Sequence, residues 1–107
     1  MLEVGLNVPP RCDLCEALEI TTWYFSDEFC FVAECESCGV PMVVLREHRV
    51  DVSDAEREVL FGHLGRIAVT FFQGQEFFID GLRRQIPDHF HAHARKRPVA
   101  RYTHTPR

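Results

Sequence analysis

The chain has 107 residues, 46% of them hydrophobic and nine of them Phe, which suits one small domain with a modest core. No apolar run approaches the roughly 18 residues of a membrane span, and Met1-Leu2-Glu3-Val4-Gly5 lacks the basic and apolar regions of a signal peptide. The expectation is a soluble, cytoplasmic protein with reduced thiols, in which five cysteines favour metal binding over disulfides, because an odd number cannot all pair within one chain.

Charge is unevenly placed. Residues 1–80 hold fifteen Asp/Glu against five Arg, a balance of −10, and residues 81–107 hold seven Lys/Arg against one Asp, a balance of +6. A basic C-terminal quarter favours an anionic ligand such as a phosphate. Residues 95–107 also read simply as a solvated basic tail.

Residues 1–10 read as an irregular lead-in ending at Pro9-Pro10. Cys12-Asp13-Leu14-Cys15 follows, a spacing that lets two thiolates reach one metal ion. Residues 27–34 form a predicted strand bounded by Ser26-Asp27, and Trp23, Tyr24 and Phe25 just before it also favour β structure. A turn over 35–39 leads to a second strand at 42–45, whose unbroken apolar run suggests burial on both faces. The two make a hairpin, with His48 just past its end. Ser53-Asp54-Ala55-Glu56 has the Ser-x-x-Glu form of a capping box, and Val59, Leu60, Leu64, Ile67, Ala68 and Phe71 recur at three- and four-residue steps. These place a helix at about 53–72, with Gly74 as a left-handed cap. A short strand at 76–80, a loop at 81–84 and a last strand at 87–95 complete the order β-β-α-β-β. The fold class is α+β, an antiparallel β-sheet with one main helix packed on a face. One domain spans 1–107, with its core at about 12–97 and a basic tail at 98–107.

The last strand carries Gln85-Ile86-Pro87-Asp88-His89-Phe90-His91-Ala92-His93-Ala94-Arg95. In an extended strand His89, His91 and His93 share one face at intervals of about 6.6 Å, opposite an apolar face. On a helix they would be splayed about 200° apart. One such imidazole can ligate a metal, another can act as nucleophile or base, and a third can stabilise a charged group. The plainer reading is a row of solvent-facing histidines.

Gln-x-x-x-His-x-His-x-His followed by a basic residue resembles the signature of the histidine triad (HIT) family. Element order, length and helix position resemble a HIT domain as well, over roughly residues 12–97. Cys12-x-x-Cys15 resembles the zinc-bearing branch of that family. The resemblance implies a structural Zn2+ held by Cys12, Cys15, His48 and His89, and two Cys with two His do form a closed tetrahedral site. A rival set comes from spacing alone: Cys12-x2-Cys15 and Cys35-x2-Cys38 stand nineteen residues apart, within the range of an all-cysteine zinc site. From Gly39 to His48 an extended chain covers on the order of 30 Å, so one metal cannot use both the turn cysteines and His48. Cys30 reads as a small buried hydrophobe.

The resemblance further implies that His91 attacks a phosphate and forms a phosphohistidine-type intermediate, that His93 contacts the phosphoryl group, and that Gln85 binds near it. Arg95, Arg83 and Arg84 are candidates for charge stabilisation of that phosphate. The expected partner is a phosphate-containing small molecule of the nucleotide class, with no membrane and no nucleic acid. A homodimer is implied by resemblance only. Three positions depart from the family. Its Asn- and Gly-rich approach to the triad is here Asp80-Gly81-Leu82-Arg83-Arg84, its ribose-binding Asp falls near Glu34 or Cys35, and its Gly-His before the second strand falls at Val40-Pro41. Either the substrate differs from a standard nucleoside phosphate or the fold persists without the activity. The reading is thus a zinc-binding hydrolase or transferase; the alternative is a non-catalytic zinc-binding module for a protein or nucleic-acid partner. A third idea puts a catalytic metal directly on the histidines.

Overall fold

The near-continuous apolar runs at 30–34 and 41–45 and the alternating run at 91–96 make strands largely buried on both faces, and the structure stacks them side by side. A computed structural model describes residues 12–17, 19–82 and 86–97. Its strands are β1 (Trp23–Ser26), β2 (Cys30–Glu34), β3 (Pro41–Leu45), β4 (Phe77–Asp80) and β5 (His91–Lys96). They form one antiparallel sheet in the order β1-β2-β3-β5-β4. A short helix α1 (Asp13–Glu16) precedes β1, and the main helix α2 (Asp54–Phe71) joins β3 to β4. The fold is α+β as expected. Among the described residues no helix is long and apolar enough to cross a membrane.

Cys30, Val32, Val43, Leu45, Phe90, Ala92 and Ala94 point from the sheet to Leu60, Leu64 and Ala68 of α2. Leu60 and Leu64 are fully buried, and removing each from water contributes about 2 kcal/mol. The opposite face carries Phe31, Ala33 and Val44, against which Leu14, Trp23 and Met42 pack. That face is the one α2 leaves open.

Three strands precede the main helix, not two, so the order is β-β-β-α-β-β. The predicted strand at 27–34 begins only at Cys30, because the Asp27 carboxylate accepts the Phe29 and Cys30 N–H groups at 2.8 and 2.9 Å. That side-chain turn replaces ladder bonds and makes Trp23–Ser26 a separate edge strand. Val59 is 48% exposed, since one residue before Leu60 lies about 100° around the helix from the buried line. The helix ends at Phe71, and Gln73, not Gly74 alone, takes up a left-handed backbone (φ 55° and 81°). Gln73 N–H bonds Thr70 O at 3.1 Å and Gly74 N–H bonds Val69 O at 3.0 Å, the paired closure that caps a helix end. The last strand begins at His91, later than expected, with Pro87–His89 in a bend closed by Phe90 N–H to Arg49 O at 2.8 Å.

The capping box forms as predicted: Ser53 Oγ accepts from Glu56 N at 3.1 Å, and Glu56 Oε1 accepts from Ser53 N at 2.8 Å. Arg49 then grips the same carboxylate with two N–H groups at 3.1 and 2.7 Å, tying the segment after β3 to the start of α2. These bonds, Arg49 first and the Ser53 N–H second, hold the Glu56 carboxyl down at about 2. A carboxyl depressed below its unfolded value near 4.5 stabilises the fold above that value and loses the effect as pH falls toward 2. The melting-temperature advantage of the native chain over Glu56→Gln is therefore expected to shrink between about pH 4.5 and 2. Thermal melts at several pH values check this; a gap that stays constant would show that the clamp adds nothing.

Candidate functional site

Four metal-binding side chains converge where the N-terminal segment meets the end of β3 and the bend before β5. Cys12, Cys15, His48 and His89 each offer a donor atom, all within 4.8 Å of one another. Cys12 Sγ lies 3.5 Å and Cys15 Sγ 3.4 Å from His89 Nδ1; Cys15 Sγ lies 3.1 Å from His48 Nδ1, and the two Nδ1 atoms are 3.2 Å apart. With Zn–S near 2.3 Å and Zn–N near 2.05 Å, a tetrahedron has S···N edges of about 3.5 Å and N···N edges of about 3.3 Å. The observed spacings are close to those of a zinc tetrahedron.

Protonation supports the same conclusion. His89 Nε2 sits 2.6 Å from the Leu45 carbonyl oxygen; a carbonyl only accepts, so Nε2 carries the hydrogen and Nδ1 the lone pair. Burial lowers the His89 pKa, which keeps the ring neutral. His48 Nε2 faces Asp88 Oδ2 at 3.3 Å, which orients its Nδ1 likewise. Two lone pairs 3.2 Å apart repel unless a cation lies between them. A ligand histidine whose other nitrogen donates to a carbonyl or carboxylate is the usual second layer of a metal site. Desolvation, reinforced by Cys12 alongside, pushes the Cys15 thiol up to about 11, so metal must displace protons here and its affinity falls with falling pH.

The cysteines of the β2–β3 turn stand elsewhere. Cys35 and Cys38 group with His93 and not with Cys12 and Cys15, so the described residues divide the four cysteines between two clusters. Cys30 is fully buried among apolar side chains, as expected.

A cavity of about 560 Å³ opens on the sheet face away from α2, lined by Trp23, Phe31, Cys38, His91, His93 and Arg95 among others. Its size is that of a small-molecule site. His91 and His93 are 5% and 8% exposed, with rings 5.6 Å apart and nearly perpendicular. The expected sharing of faces holds for them, while Phe90, Ala92 and Ala94 enter the opposite core. His89 leads into the metal cluster, one turn of the bend ahead of the ladder. His91 Nδ1 lies 2.8 Å from the His89 carbonyl oxygen. By the same logic Nδ1 bears the hydrogen and Nε2 the lone pair.

Arg95 lines the cavity with its Nε donating to Asp80 Oδ2 at 2.8 Å, so part of its charge is already matched. Gln85, Arg83 and Arg84 lie outside the described residues, as do the lead-in and the basic tail. An aromatic wall was not foreseen: Trp23 and Phe31 stack at 4.2 Å between centroids and 5° between planes, with the Arg46 guanidinium 5.8 and 5.3 Å from the two centroids. Only the strand register, which sets Trp23 opposite Ala33 and Ser26 opposite Phe31, could have paired them. A comparison of the chain with models of known families, with curated proteins and with solved structures found no significant match.

Proposed function

We propose that this chain is a zinc-stabilised domain of histidine triad type that transfers a phosphoryl group, with His91 as the nucleophile. The observation that carries the reading is the 2.8 Å bond from His91 Nδ1–H to the His89 carbonyl, which leaves the lone pair on Nε2 of a ring lining the cavity. The substrate is a phosphate ester or anhydride of the nucleotide class. Nε2 forms a bond to phosphorus, and the bond from phosphorus to the leaving oxygen breaks, its electron pair departing with that oxygen. Water then attacks the phosphorus; the N–P bond breaks, its electrons return to Nε2, and the water's protons go to the phosphate product and solvent. His93 and Arg95, on the same cavity wall, meet the phosphoryl oxygens, where positioning and charge do most of the work. The Trp23–Phe31 stack gives a flat ring something to lie against. Cys12, Cys15, His48 and His89 would hold the zinc, whose part would be structural and not chemical.

The test is to incubate the zinc-loaded chain with a panel of radiolabelled nucleotides and simpler phosphate esters and to look for an acid-labile, alkali-stable label on the peptide that contains His91. A labelled peptide is the expected result. A panel that yields neither label nor released phosphate sinks the enzymatic reading. It would leave the non-catalytic zinc module, which one observation favours: Ile20 and Leu82 line the cavity yet are 65% and 59% exposed, as apolar anchors for a partner would be.

A further inference from the structure

The β2–β3 turn is built more tightly than a connection between two strands needs. Cys35 N–H bonds Val40 O and Gly39 N–H bonds Cys35 O, both at 2.8 Å, with Gly39 at φ 72°. A side chain at that φ would be strained. The turn brings the Cys35 and Cys38 sulfurs to 3.4 Å. The register of β3 with β5 sets Met42 opposite His93, and a ring nitrogen of His93 falls within 4.8 Å of both sulfurs. By contrast, a third cluster of Asp27, Cys30 and His63 is explained by structure, since Asp27 closes its own turn.

We propose that Cys35, Cys38 and His93 form a second metal site, separate from the first, whose remaining coordination position opens to the cavity and takes an oxyanion such as phosphate. Two sulfurs and an imidazole select zinc over magnesium or calcium. Three protein ligands with one open position are the arrangement of a zinc ion that binds a ligand, whereas four are that of a structural one. The S···S edge of a zinc dithiolate is about 3.8 Å, a few tenths more than observed, while a disulfide needs about 2.05 Å. Ser37 Oγ lies 3.5 and 3.8 Å from the two sulfurs, so a hydroxyl can support either thiolate. Two thiolates leave the ion formally neutral, and Arg95, set against Cys38 and bonded to Asp80, is the cation beside it. All three ligands line the cavity, so a phosphate held there reaches the metal, and His93 meets it through the metal. The site stands whether or not His91 attacks phosphorus.

The full chain, purified with reductant, is expected to hold two zinc ions, and Cys35→Ser/Cys38→Ser to hold one while keeping its circular-dichroism spectrum. His93→Asn, which leaves the turn intact, is expected to lose the same ion. In the cobalt-loaded native chain, inorganic phosphate shifts the visible d–d bands; in either variant it does not. One zinc ion in the native chain, two retained in the variants, or cobalt bands that phosphate leaves unmoved would each overturn the proposal. So would a Cys35–Cys38 disulfide in protein isolated with its thiols blocked.

Discussion

Removing zinc with a strong chelator is expected to unfold this domain, and His89→Ala is expected to do the same in the presence of metal. Apparent zinc affinities at structural sites of about 10–16 kcal/mol match or exceed the whole stability of a typical domain, roughly 5–15 kcal/mol. The ion would join the N-terminal segment to the end of β3 and the bend before β5, which the β3–β5 ladder and the Phe90–Arg49 bond already hold together. Cys12 and His89 are 77 positions apart and Cys15 and His48 are 33 apart. Among the described residues the segment before β1 otherwise reaches the sheet through Leu14 and Ala17 and through the bonds of Thr21 and Thr22 to Glu34. Losing even 4 kcal/mol lowers the melting temperature of a domain this size by about 20 °C. His89→Ala adds its own cost, because it also removes a fully buried ring and orphans the Leu45 carbonyl. Asp88→Asn, which only weakens the orientation of His48, is expected to lower zinc affinity by about 10- to 100-fold and leave the fold intact. Melts with and without chelator, alongside metal analysis, decide the matter. An unchanged melt after metal is gone would show that the cluster is not what holds the N-terminal segment in place.

His91→Ala is expected to lower phosphoryl transfer by a factor on the order of 10³ or more while zinc content stays the same and the melt falls only slightly. The structural losses include the hydrogen bond to the His89 carbonyl, about 1 kcal/mol, and the ring contact with His93. His91 lines the cavity and not the α2 core. Rate and melt should therefore separate. Single-turnover kinetics on whichever substrate labels the peptide is the measurement, and a variant that keeps its rate removes His91 from the mechanism.

Some of this was legible in the residues. Ser53 and Glu56 announced the start of α2 because a capping box is a local device that tertiary contacts seldom overrule. The spacing of Cys12 and Cys15 marked a metal pair, and the alternation of histidines with Phe90, Ala92 and Ala94 marked a two-faced strand. What escaped depended on partners brought together by register. The turn at Asp27 rests on a single carboxylate reaching two backbone N–H groups, and it delayed the expected strand to Cys30 and set Trp23–Ser26 apart as a strand of its own. The Trp23–Phe31 stack and the meeting of Cys35 and Cys38 with His93 depend on which strands are neighbours. Pattern along the chain does not record that. The bend that turns His89 away from the ladder needs the bond between Phe90 and Arg49, across an interval no periodicity spans.

One backbone oxygen, that of His89, lies between the two histidine tasks. The residue's ring belongs to the metal cluster, and its carbonyl receives the Nδ1–H of His91. Whatever frees that ring also frees the peptide that decides which His91 nitrogen holds a proton. On the proposed role of His91, a shortage of zinc would thus silence the chain at that ring while the polypeptide was still present, and adding the ion back would restore it without new synthesis.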